Sequence, residues 1–448
     1  MTLETLQNEL NSFKSDVNVF WLLFGSVLVF FMECGFTFIE VGCVQKKNVK
    51  SILIVNILDT AISILTWWLI GYGVAYGGLN YGAFDSNPFI GTDDFALTGS
   101  FRNKALHPAS GFSWAWFIFQ WVFAATASTI VNGAVAERIK FGAYLIYSIV
   151  LNALIYPVIV HLAWSQNGWA SAFNPHESRL LQCGIVDFAG SCVVHMTGGM
   201  AALISLILLG PRHGRFLNNQ VQTIPQFSHV YQTVGTQFLI FGWFGFNGVS
   251  TALITGKSLI AARAIVNSMI SGGSACLSSL VLTRHMKGFL SLTAVNNGIL
   301  AGLVGITSGC ATVDPEGALI IGCVAGCVYV SGSALLLNLK IDDVVDAVAL
   351  HLGCGLWGFF ATGLFTTQNM YELAYYADRG RKCCGAFYGG EGNLIGAHVI
   401  FILVHIGFTG TICTCLFLFC KHTIGLRISI EDEIDGCDTS RHGGLINY

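Results

Sequence analysis

The sequence predicts an all-α polytopic membrane protein: eleven transmembrane helices in two inverted five-helix halves, with one further C-terminal helix. Three observations predict it. Mean hydropathy is +0.65, and only 10% of the 448 residues are charged, against roughly 25% in a soluble protein. Apolar runs near the length of about 20 residues that crosses a bilayer recur along the chain. The stretch VDFAGSCVVHMTGGM, from Val186 to Met200, is echoed by DVVDAVALHLGCGL, from Asp343 to Leu356. In both, an acid precedes a histidine by eight residues (Asp187 and His195, Asp343 and His351) and glycines follow.

The spans fall near 19–43, 52–77, 112–133, 142–164, 185–209, 232–251, 261–282, 289–310, 317–338, 343–366 and 394–420. Basic residues follow the first, third, fifth, seventh and ninth: Lys46, Lys47 and Lys50, then Arg138 and Lys140, Arg212 and Arg215, Arg284 and Lys287, and Lys340. By the positive-inside rule those loops are cytoplasmic, which puts the N-terminus outside and the C-terminus inside. Residues 1–18 form a polar extracellular N-terminus without the basic start of a cleavable signal. The outer loop 78–111 is mixed, with Asp85, Asp93 and Asp94 beside Arg102 and Lys104. The loop 367–392 dissents, because it holds Arg379, Arg381 and Lys382 on the face assigned outside. Residues 421–448 are a polar tail whose mix of isoleucine and charge suggests docking on the cytoplasmic loops.

Five spans in each half invert the second half relative to the first, an arrangement that places functional residues near the midplane. His195 and His351 each lie some ten residues into their spans. On a helix the eight-residue spacing puts each Asp near the face of its His. Ionisable residues in lipid usually face a bundle interior and mark a pathway. The plainer reading, two packing motifs with satisfied polar groups, is weakened by their repetition. Three further stretches carry aromatics: Phe117 to Arg138, Tyr156 to Trp169 and Phe241 to Ser250. Such clusters usually form interfacial belts, yet Phe119, Phe123, Trp164, Trp243 and Phe246 are expected to converge at the outer ends of their helices. An aromatic cage there binds a small cation through ring faces, with Ser250 adding a hydroxyl.

Most of the 15 cysteines sit in apolar spans as small hydrophobes. Cys183, Cys383 and Cys384 lie in polar segments where a bridge is open to them, with the pairing left undecided. A net charge of −3 argues against a nucleic-acid partner. A membrane enzyme would need a nucleophile or metal constellation, and His195 with His351 has no third ligand. No enzyme activity, cofactor or metal is expected.

The chain resembles the ammonium transporter (Amt/Mep/Rh) superfamily over residues 20–445, and within it the plant-type ammonium transporters. The resemblance is carried by GFTFIEVG, FQWVFAATAS with AERIKF, YPVIVH, VDFAGSCVVHMTGG, GPRHGRF, GWFGFNGVS, DDVVDAVALHLGCG and LRISIEDEIDG followed by RHGG. It implies a homotrimer with one pore per subunit, moving ammonium or ammonia, with methylammonium as an analogue. It assigns Trp164, Phe119 and Ser250 to the outer substrate-binding site, with Asp187 the structural acid beneath it. It assigns Phe123 and Phe246 to a stacked gate and His195 with His351 to a twin-histidine relay. The implied domains are a membrane domain, 19–420, with halves 19–209 and 232–366 and the extra helix 394–420, and a regulatory tail, 421–448. The family's threonine before Arg-His-Gly-Gly is here Ser440, with Thr439 beside it, so either is the acceptor of a regulatory kinase. The implied location is the plasma membrane. The alternatives are an ammonium sensor and a Rhesus-type gas channel; the tail ends without a signalling domain, and the aromatic cluster and RHGG favour the transporter branch.

Overall fold

The computed structural model describes residues 2–78, 87–105 and 111–445. Asp85 and Tyr448 lie outside the described residues, as does the Lys104 side chain. The long helices are α1 (Leu3–Cys43), α2 (Lys46–Tyr76), α3 (Gly111–Val135), α4 (Phe141–Trp164), α5 (Ser191–Leu209), α6 (His229–Gly248), α7 (Ser258–Lys287), α8 (Leu292–Ile306), α9 (Pro315–Asn338), α10 (Val348–Phe365) and α11 (Asn393–His422). Among the described residues nine of these are long and apolar enough to cross a membrane; α8 is a shorter apolar helix, and α6 has 20 residues. Apolar side chains remain exposed around the outside, including Phe20, Val27, Leu277 and Leu403, as expected of helices solvated by hydrocarbon rather than water.

α1 starts sixteen residues before the span expected from hydropathy, at Leu3 rather than 19. The Thr2 hydroxyl accepts the Thr5 N–H at 3.2 Å and caps it, and the polar first turns then project as exposed helix. α1 packs along α6, and α7 packs along α8 and α9. The α1–α6 crossing is close because Gly35 faces Gly235: a Cβ on Gly235 would collide with the Gly35 and Ile39 backbone, and one on Gly35 with the Leu239 side chain.

One expectation is corrected. Asp187 and Asp343 do not lie on the helices that carry the histidines. Gly190, at φ 108°, and Asp346, at φ 60°, turn the chain just before α5 and α10, so each acid stands ahead of its helix. There it accepts N–H groups that have no partner within the helix. Asp187 Oδ2 takes those of Cys192 (3.0 Å) and Val193 (2.8 Å), and Asp343 Oδ2 takes that of Val348 at 2.7 Å. The repeated spacing is that of a cap, not of a helix face.

The two halves are tied at both ends. On one face a disulfide joins Cys183 to Cys383, and Cys384 is free. Arg379, in the dissenting basic loop, is buried there: it donates to Asn174 O and Pro175 O at 3.1 and 3.0 Å and stacks over Tyr376. Its charge is part of loop packing, whereas Arg381 of the same loop is exposed. On the opposite face Arg212 bridges Glu137 (2.6 Å) and Asp342 (2.7 Å). Burial alone would raise the Asp342 carboxyl, but the Arg212 guanidinium outweighs it and holds the group below the usual carboxylate range.

Candidate functional site

A cavity of about 550 Å³ opens between α3, α4 and the end of α6. Phe119, Phe123, Trp164 and Ser250 line it, with Trp116, Gln120 and Phe188. Trp164 is oriented by its indole N–H, which donates to Asp187 O at 2.6 Å. Ser250 Oγ donates to Phe246 O at 2.6 Å, leaving its lone pairs as acceptors. Asp187 is not among the lining residues; its carboxylate is used on the helix start.

The floor of the cavity is a stack of rings. Phe119 and Phe123 lie 5.0 Å apart, Phe123 meets Trp164 edge-on at 5.9 Å, and Phe123 stacks on Phe246 at 4.2 Å. Below Phe246, at 5.6 Å, comes His195, which stacks on His351 at 5.2 Å. The two Nδ1 atoms are 3.1 Å apart. Both histidines are buried, His195 completely and His351 at 6% exposure. The approach of α5 to α10 that permits this rests on Gly199, where a Cβ would meet the Leu352 backbone.

One sequence expectation changes here. Trp243 touches Phe246 at 5.8 Å but does not line the cavity: its ring lies 5.6 Å from His195, and its N–H donates to Thr307 Oγ1 at 3.2 Å. Phe36 of α1, not singled out from the sequence, sits 6.1 Å from His351. Its position within GFTFIEVG was visible, but nothing local to that motif pointed toward a residue three hundred positions away.

The tail bonds to the loops of its own first half. Asp438 accepts the N–H groups of Lys50 and Ser51 at 2.9 and 2.8 Å. Lys47 Nζ reaches Glu433 O at 2.9 Å and also Ile434 O. Cys437 N–H donates to Asn48 Oδ1 at 2.9 Å, and Ile428 N–H to Arg138 O at 3.0 Å. Thr439 and Ser440 are exposed beside these contacts, and Arg441 pairs with Asp432 at 2.6 Å.

A bundle of long apolar helices, with a buried aromatic stack over paired imidazoles inside it, defines a polytopic membrane protein. The chain belongs to the Ammonium Transporter Family, whose model matches residues 20–447. It is 40% identical to ammonium transporter 1 member 1 of Oryza sativa subsp. japonica, over 98% of this chain and 87% of that one. It is 36% identical to ammonium transporter 1 member 3 of Solanum lycopersicum, over 97% and 93% of the two chains. Among solved structures, a Sensor Amt Protein superposes with a TM-score of 0.84 at 31% identity, covering 96% of this chain and 99% of that one. Mep2 of Candida albicans superposes with 0.80 at 25% identity, covering 93% and 87%.

Proposed function

We propose that this protein carries ammonium across a membrane by recruiting the ion at the outer cavity, stripping its proton and passing ammonia along the apolar route below. The observation that carries the reading is the His195–His351 pair, 3.1 Å apart and directly beneath the Phe123–Phe246 stack. Ammonium and potassium are alike in size, so radius alone does not separate them. Only ammonium can shed a proton, and an apolar passage makes a bare charge costly. An Nδ1–Nδ1 hydrogen bond requires one ring to carry the proton and the other to lack it. The pair therefore holds opposite tautomers, and switching them moves a proton between the rings.

Trp164, Phe119 and Ser250 recruit the ion, through ring faces and one hydroxyl acceptor. Phe123 and Phe246 are the gate, and the Asp187 cap holds the start of α5 so that His195 is presented. α6 and α8 complete eleven spans, the subunits form a homotrimer, and the N-terminus lies outside the plasma membrane. The Cys183–Cys383 disulfide supports an oxidising, outer location for its loops. The protein is a carrier and not an enzyme. The plant relatives are named transporters, which favours transport over the sensor and gas-channel readings. The test is uptake of labelled methylammonium with simultaneous current in yeast lacking its own carriers. Saturable uptake that excess potassium does not inhibit supports the reading; no uptake above vector controls refutes it.

A further inference from the structure

We propose that Glu33 and Glu40 of α1 and Asp59 of α2 form a proton way-station in the first half, discharging into the cavity that the tail covers. The proposal rests on the transport reading above and adds a route for the charge.

The three acids lie inside apolar helices at 7%, 2% and 1% exposure. Among the described residues none of them is ion-paired to a lysine or arginine, and α3 and α4 contain neither residue. Their donors are neutral. Glu40 Oε2 accepts from Asn56 Nδ2 at 2.7 Å and Asn132 Nδ2 at 2.8 Å. Asp59 Oδ1 accepts from Ser128 Oγ at 2.8 Å and Ser148 Oγ at 2.5 Å. Glu33 Oε1 and Asp59 Oδ2 are buried with no hydrogen-bond partner among the described residues, as is the hydroxyl of Thr129 beside Glu33. A merely structural polar cluster has its lone pairs matched. Buried carboxyl groups that face no cation, with only the neutral hydroxyls of Thr129 and Tyr144 beside Glu33 and Asp59, are sites for a proton.

The position of the cluster gives that proton a direction. Phe36 lies three residues after Glu33 and four before Glu40, so all three share a face of α1. That ring is the one beside His351. Away from the pore, a cavity of about 320 Å³ is lined by Asn132, Tyr144 and the tail residues Cys437, Arg441 and His442. Asn132 bonds Glu40, and Tyr144 stands beside Asp59. Asn132 and Tyr144 thus join the acids to this cavity, and Phe36 joins the Glu33–Glu40 face of α1 to His351. In the proposed step an ammonium N–H bond breaks at the outer site, and its proton passes by way of the histidines to form an O–H bond on a carboxylate. That bond then breaks to water of the inner cavity, while ammonia passes down the pore uncharged.

The test uses the full chain in oocytes, with current and labelled methylammonium uptake read from the same cells. Glu33→Gln, Glu40→Gln and Asp59→Asn keep size and acceptor oxygens but do not exchange protons. Uptake should stay close to the parent's, while charge moved per methylammonium falls by about tenfold or more, the scale of a positioned proton-transfer group. An unchanged ratio, or current and uptake lost in proportion at normal surface level, overturns the proposal. So does a parent that takes up methylammonium without current. A parent with neither uptake nor current defeats the transport reading instead. In reconstituted protein, a pH jump should produce a carboxyl infrared difference band that Glu33→Gln and Glu40→Gln diminish; no such band in the parent also overturns the proposal.

Discussion

The two Asp–His stretches are alike in sequence and unlike in surroundings. Asp187 caps α5 with two N–H bonds and fixes Trp164 through its carbonyl, whereas Asp343 caps α10 with one bond and is half-buried. His195 is walled by Trp243 and Phe246, and His351 by Phe36. A shared cap-and-histidine plan delivers two imidazoles to one point, and the aromatic neighbours then give the pair an outer and an inner member. The difference teaches that the repeat sets where the histidines meet, while residues outside the repeat set what each one faces.

The strongest way to break this comparison is to remove one histidine at a time. His195→Ala should cut ammonium-evoked current by about fivefold or more, since losing half of a buried hydrogen-bonded pair costs roughly 1–3 kcal/mol. His351→Ala should also reduce current but leave the Phe123–Phe246 floor intact, so methylammonium affinity should stay nearer the parent's. Equal changes in current and affinity for the two variants would erase the outer–inner distinction.

The caps sharpen it. Asp187→Ala and Asp343→Ala each remove a helix cap worth about 0.5–2 kcal/mol, with Asp187, which holds two N–H groups, toward the upper end. Thermal unfolding of purified protein should place the Asp187 variant lower. The reverse order would show that the single bond of Asp343 matters more than the pair.

A third test concerns the tie between the halves. Cys183→Ser should lower stability by about 2–4 kcal/mol, the usual worth of a native disulfide, while Cys384→Ser should not. Thermal unfolding with and without reductant reads both, and equal sensitivity of the two variants would contradict the pairing.

Much of this was legible from residues alone. Hydropathy located the helices, and matched spacing singled out Asp187, His195, Asp343 and His351. Hydropathy reports burial in lipid, however, not backbone path, so it extended both motif helices back over their caps and started α1 late. The turns at Gly190 and Asp346 that correct this depend on φ, which apolar periodicity does not encode. Trp243 was grouped with the outer aromatics because sequence places it near a helix end but not on a helix side. The acid cluster is not legible for a related reason: Glu33, Glu40 and Asp59 are spread over two helices and share their surroundings only once Ser128 and Asn132 of α3 bond to Asp59 and Glu40.

The smallest expected effect belongs to the tail, whose bonds described above all land on loops of the first half. Ser440 stands beside Asp432, whose carboxyl Arg441 and then Ser440 hold below the usual range. The sign follows: the contact contributes above the ordinary carboxylate range and is lost as pH falls through the lowered value. Ser440→Asp replaces a hydroxyl donor to Asp432 by a second carboxylate, which competes for Arg441 and repels Asp432. Asp438, completely buried on Lys50 and Ser51, is the anchor that then loosens. Screened surface charges are worth about 0.5–1 kcal/mol, so uptake per surface-labelled protein should fall roughly twofold to fivefold. Thr439→Asp should do less, since no bond of its side chain ties it to Asp432. The matching alanine variants control for loss of the hydroxyl, and uptake by Ser440→Asp equal to that of Ser440→Ala would show that charge at this position does not act through the docked tail.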